Sequence, residues 1–145
     1  MSPRMPNPSL VVPGALPPLL ELTKAISQVG LPKRTIDLVR LLVSRLNGRA
    51  IHIPGEPGDA DEPLRSVADW RDSPAFSAPE RAALGLAEAA TCLRDNADPV
   101  PEDVWAEAAR HYDQAQLGAL LLQIGLVNLW NRVNVATREE PAEWS

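Results

Sequence analysis

Few residues of this chain can do acid–base or thiol chemistry: two histidines, His52 and His111, and one cysteine, Cys92. The densest stretch is residues 46–64, LNGRAIHIPGEPGDADEPL, where Arg49 and His52 stand among four carboxylates (Glu56, Asp59, Asp61 and Glu62) and three prolines. Arg49 has the planar fork that grips a carboxylate through two parallel hydrogen bonds, and His52 titrates near neutral pH. Together they could anchor a small organic acid and move a proton on it. The blander alternative has Arg49 capping the carbonyls of the preceding helix and His52 in a solvated loop. The four acids could help His52 to hold a metal, but their spacing sets no coordination geometry, so neither a metal nor an organic cofactor is expected. GxGxxG, GxxxxGK[ST] and HExxH are all absent, which excludes a phosphate cradle and a zincin site at the level of motif.

The remaining candidates have structural readings beside the chemical ones. Asp37 has Lys33 four residues before it and Arg40 three after, so a surface ion pair explains it at little cost. Cys92 lies on a run of small apolar residues with no histidine in helical reach and reads as packing. His111 ends a predicted helix, where a cation meets the dipole favourably. Asn128 and Arg132 lie one turn apart on an otherwise apolar segment that also carries Trp130 and Asn131. Polar groups there must either bond neighbouring helices or line a cavity.

These residues are positioned by helices. Leu19, Leu20, Leu22, Ala25, Ile26 and Val29 recur at three- and four-residue steps and predict a first helix that stops at Gly30. LPKRTIDLVRLLVSRLNG predicts a second, with Pro32 near its start, Gly48 at its end, and Ile36, Val39, Leu42, Val43 and Leu46 on one face. Asp37, Arg40, Ser44 and Asn47 form a polar stripe on another face. Two helical turns are expected around Leu64, Val67 and Trp70. SAPERAALGLAEAATCLRD opens on a capping box, Ser77 with Glu80, and PEDVWAEAARHY is Pro-led. The final helix, with Asp113 as N-cap, is apolar on nearly every side from Leu117 to Trp130 and must be wrapped by neighbours or by another subunit. The Pro-rich residues 1–16 read as an arm, 17–138 as a single all-α domain of six helices and 139–145 as a tail.

Composition narrows the function classes. A chain of 145 residues is long enough for one hydrophobic core without staples. The single cysteine cannot form an internal disulfide and the N-terminus lacks the pattern of a secretory leader, so a reducing, cytoplasmic setting is expected. The longest apolar stretch is interrupted by Gly118, Gln123, Gly125 and Asn128, which argues against a membrane span. A net charge of −5 and only two lysines leave no cationic surface for phosphate backbones, so no nucleic-acid partner is expected.

Three segments, DLVRLLVSRLNG, WRDSPAFSAPERAALGLAEAAT and LLLQIGLVNLWNRVNVATR, resemble the carboxymuconolactone decarboxylase and alkylhydroperoxidase-D-like family over about residues 17 to 138. The resemblance implies an all-helical fold assembled as trimers or hexamers. In the redox branch a Glu on the second helix and a CxxCxxxH that follows its "NG" relay protons to a cysteine pair that reduces peroxides. By spacing, the Glu matches Asp37, the cysteines Arg49 and His52, and the final His Glu56. None of the four residue types is kept, although Asp37 keeps a carboxylate. A thiolate also needs a lowered pKa from a helix N-terminus or nearby cations, and IPGEPGDADEP puts prolines and glycines where that helix would begin. The resemblance further implies that Asn128, Trp130, Asn131 and Arg132 lie close to the family's pocket.

Three functions follow as expectations. The first is a noncatalytic paralogue acting by assembly, or by binding a small ligand such as a carboxylic acid. The second is a cofactor-free decarboxylase or lyase using Arg49 and His52, with Asp37 to orient them. The third is the antioxidant role that family membership alone suggests.

Overall fold

Local sequence rules set the ends of the helices, and the helices set the core. The structure is a computed structural model that describes residues 2–49, 67–94 and 97–139. Its helices are α1 (Pro8–Val11), α2 (Leu16–Ile26), α3 (Lys33–Leu46), α4 (Ala78–Thr91), α5 (Glu102–His111) and α6 (Gln114–Thr137). There is no strand among the described residues, so the all-α expectation holds.

Three helix boundaries differ from the sequence expectation. The N-terminal arm contains one helical turn, α1, because Asn7 caps it through Ser9 N at 2.9 Å and Pro8 needs no donor in the first turn. The arm is also tied down by a bond from Arg4 N to Thr137 O at 2.6 Å. α2 ends at Ile26 rather than running to Gly30: the Ser27 hydroxyl donates to Lys24 O at 2.6 Å, and Gly30, at φ 86°, completes the turn into α3. The described part of the turns expected around Val67 and Trp70 is a single 3₁₀ turn, Val67–Asp69.

Elsewhere the expected signals operate. Ser77 Oγ accepts from Glu80 N at 3.3 Å while Glu80 Oε1 accepts from Ser77 N at 2.8 Å, which closes the capping box of α4. A second box, Asp113 with Gln116, opens α6. Gly48 ends α3 with φ 74°, Gly48 N donating to Arg45 O and Arg49 N to Ser44 O, the two bonds of a Schellman motif.

α3 is the hub, packing mainly on α4 and α6, while α5 braces α4. Leu38, Val39, Leu42 and Val43 of α3 meet Leu84 and Leu86 of α4 and Leu120 and Ile124 of α6 in a core from which water is excluded. Tyr112, at the end of α5, buries its ring there and donates its hydroxyl to Pro79 O at 2.7 Å. α6 is apolar on most sides from Leu117 to Trp130, as expected, but it is not wrapped all round: Leu121, Leu122, Leu129 and Val135 remain exposed. No helix among the described residues is long and apolar enough to cross a membrane.

Candidate functional site

The polar stripe of α3 faces inward. Ser44 is 1% exposed and Asp37 4%, and opposite them α6 presents Gln123 and Asn131, both buried. Two helices thus meet along a seam of polar side chains, which is costly unless each group finds a partner.

At the C-terminal end of α3 the amides of Asn47, Asn128 and Asn131 are engaged. Asn47 Nδ2 donates to Asn128 Oδ1 at 2.9 Å and to Asn131 Oδ1 at 2.8 Å. Asn128 Nδ2 turns to Thr91 Oγ1 on α4 and to Ile124 O. Asn131 Nδ2 reaches Ser44 Oγ at 3.4 Å, and Arg132 Nη1 reaches Asn47 Oδ1 at 3.4 Å. Asn47 is therefore the centre of a knot that ties α3, α4 and α6 together.

One turn earlier the seam opens into a cavity of about 30 Å³. Arg40, Ser44, Gln123 and Asn131 border it, with Leu126, Val127 and Trp130 as its apolar wall and Thr23 of α2 at its rim. Gln123 Nε2 is buried without a hydrogen-bond partner. Burial lowers the pKa of Arg40 from its ordinary value, and the nearby Asp37 carboxylate works against that fall.

The other residues matching the relay have separate engagements. Asp37 Oδ2 accepts from Lys33 Nζ at 2.6 Å, and Lys33 reaches it from solvent. The Arg49 guanidinium is committed to the far end of another helix: Nη2 donates to Glu139 O, just beyond α6. His52 and Glu56 lie outside the described residues, as does most of the Pro-Gly segment. Asn128, Asn131 and Arg132 come together around Asn47, while Trp130 and Asn131 border the cavity.

Cys92 is not in the core, where the small residues around it suggested packing. It is the C-cap of α4, half-buried at the edge of an open cleft of about 850 Å³ that Trp70, Arg71, Glu88 and Val104 also border. It is displaced from the core because α4 ends at Thr91, so its side chain falls on the final turn rather than on the inner face. Arg71 in that cleft pairs with Glu88 and lies over the Trp70 ring at 4.5 Å, and Arg81 donates to the carbonyls of Trp70, Arg71 and Ser73. His111 closes an i,i+4 pair with Glu107 Oε1 at 3.1 Å, at the α5 end where the sequence placed it. No three of His, Cys, Asp and Glu gather in a metal-holding group among the described residues.

Sequence reasoning missed Gln123 as a site residue and treated it only as an interruption of an apolar run. The signal was present: a long amide on the inward side of a helix, opposite Ser44 and Arg40, must meet either a partner or a cavity.

Among the described residues, the six helices make up an all-α fold of the alkylhydroperoxidase-D-like type, with a polar seam between α3 and α6. A solved Agrobacterium tumefaciens protein of unknown function, a candidate antioxidant defence protein AhpD, superposes with a TM-score of 0.81 at 27% identity, covering 98% of this chain and 100% of its own. The uncharacterized protein YdfG of Bacillus subtilis is 27% identical over 132 residues, 87% of this chain and 88% of its own length. The uncharacterized protein YnjA of Escherichia coli is 34% identical over 111 residues, which span 77% of this chain but 53% of YnjA. No protein-family model matches the chain. The chain thus shares the fold of that candidate antioxidant defence protein, and it carries one cysteine and no CxxCxxxH.

Proposed function

We propose that this protein works by binding and self-assembly rather than by turnover of peroxides. One observation carries the reading: the chain's only cysteine, Cys92, caps α4, while the positions that match the family's thiols hold Arg49 and His52. Thiol peroxidase chemistry in this family needs a thiolate and a resolving thiol in reach of each other, and one cysteine cannot supply both. Assembly is supported by α6, where Leu121, Leu122, Leu129 and Val135 stay exposed along a helix otherwise packed into the core. Homo-oligomers, trimeric or hexameric as the family resemblance implies, would cover them. Ligand binding is supported by the bordered cavity and its unpartnered amide.

The test is hydroperoxide reduction by the purified protein with a dithiol reductant, beside Cys92→Ser. The expected rate equals that of the buffer for both proteins. Dithiol-dependent turnover that disappears in Cys92→Ser would overturn the reading.

A further inference from the structure

α6 is the longest of the six helices, and of its 24 residues only Arg132 is charged. The solvent side of a helix is ordinarily charged and polar. Here the outer side instead carries Gly118, Leu122, Gly125, Leu129, Arg132 and Ala136 at alternating steps of four and three, the 3.5-residue repeat that lets one helix seat along another. All six are at least partly exposed, and the exposed Leu121 and Val135 flank them.

The two glycines pack against nothing in their own copy. A Cβ at Gly118 or Gly125 would meet no atom within 4 Å, whereas Gly85 makes room for the Trp70 ring at 3.7 Å. Glycine in mid-helix weakens the helix, so two outward notches are a cost to the single copy. The same stripe carries the knobs that fit them: Gly118 and Leu129, and Leu122 and Gly125, stand symmetrically about a point between Gln123 and Ile124. An antiparallel second α6 therefore sets each leucine over a glycine of the other copy, whereas a parallel one sets leucine on leucine and glycine on glycine. The antiparallel register also brings Arg132 opposite Ala115 of the second copy, two residues from the Asp113 carboxylate that opens that helix. A stripe of about 27 Å by 10 Å falls short of the roughly 800 Å² per partner that a stable contact takes. It continues, however, into a groove of about 500 Å³ that Met5 and Pro8 of the N-terminal arm share with Val133 and Ala136, so arm and helix form one apolar surface.

We infer that α6 pairs antiparallel with α6 of a second copy across a two-fold axis, with Leu122 seated on Gly125 and Leu129 on Gly118 of the other copy. The inference rests on the self-assembly proposed above and names the surface, the register and the symmetry of one contact. Such a contact is isologous, so both copies present the same residues and one substitution acts twice.

The test is disulfide trapping in the full-length chain, with Cys92→Ser as background. Gly118→Cys and Leu129→Cys together are expected to give a covalent dimer on mild oxidation, because each thiol meets its counterpart on the other copy. Either one alone is expected to stay uncross-linked, since the two copies of one position lie about 16 Å apart along the axis. Gly125→Leu, which enters open space in the single copy, is expected to keep the helix content and to weaken association at least tenfold in analytical sedimentation. Cross-linking by either single variant as readily as by the pair, or association of Gly125→Leu equal to that of the parent, would overturn the inference. An oligomeric parent whose double variant forms no covalent dimer would end this contact and leave self-assembly standing. A parent that is monomeric at every concentration would end both and leave the stripe to a different protein.

Discussion

Arg49 and Glu139 occupy the same position in two different helix ends, directly after the left-handed residue that closes each, and the side chain of the first donates to the backbone carbonyl of the second. Each end is a Schellman turn: Arg49 N bonds Ser44 O after α3, and Glu139 N bonds Asn134 O after α6. The guanidinium adds positive charge where the α6 dipole is negative.

The two ends differ in the residue that takes the left-handed conformation. Gly48 does so freely at φ 74°, whereas Arg138 adopts φ 61° with a Cβ. Arg138→Gly is expected to raise stability by roughly 0.5–1 kcal/mol. Arg49→Ala is expected to lower it by about 1 kcal/mol, the worth of a partly solvated charge-assisted hydrogen bond. Urea midpoints with unchanged slopes would check both changes.

The asparagine knot makes a sharper prediction. Asn47 Nδ2 feeds two carbonyl oxygens, Asn128 Oδ1 and Asn131 Oδ1. Asn47→Ala leaves both acceptors short of a donor and should destabilise by about 2–3 kcal/mol. Asn47→Asp keeps the shape but points an acceptor at two acceptors, so it should be at least as damaging at neutral pH. A smaller loss for Asp than for Ala, measured by denaturant unfolding, would show that the knot carries little of the stability.

Acid sensitivity is expected to centre on Glu80. Burial pushes its pKa up, but the bond from Ser77 N and the Arg34 guanidinium, whose Nε lies 2.6 Å from Oε2, outweigh it and hold the carboxyl below its ordinary 4.5. The unfolded chain therefore binds the proton more readily. The stabilisation is complete above pH 4.5 and is lost as pH falls through the lower folded value. Glu80→Gln retains an acceptor for the Ser77 N–H but cannot titrate, so its stability should depend less on pH below 4.5 than that of the parent. Parallel slopes in chemical denaturation across that range would contradict this assignment.

The exposed face of α6 should respond to charge. Leu122 is 51% exposed and makes no core contact that Glu would break, so Leu122→Glu is expected to leave the helix content intact while lowering the mass measured by light scattering. An unchanged mass would place any contact between copies elsewhere.

Much of this molecule was legible in its residues because the deciding forces were local. Ser77 with Glu80, Asp113 ahead of α6, and Gly48 after α3 mark helix ends through bonds that span three to five residues. Ile36, Val39, Leu42 and Val43 announced the helix face around which the core forms, and the spacing around Asp37 announced its pairing with Lys33. The early end of α2 was not legible, because Ser27 bonding back to Lys24 competes on nearly equal terms with one more helical turn.

The sequence alone determined that no cysteine pair can operate in this chain, since one thiol cannot make two, and that its elements are helices, since periodicity and capping are written in neighbouring residues. Tertiary structure alone decided which face of α3 meets which face of α6. That choice turned an apparent surface stripe into a buried seam, made Asn47 the centre of a knot, sent Arg49 to Glu139, and left Gln123 facing a cavity beside Arg40. Residues 81 to 90 positions apart meet in these contacts, and their pairing depends on how helices pack, which no local pattern encodes.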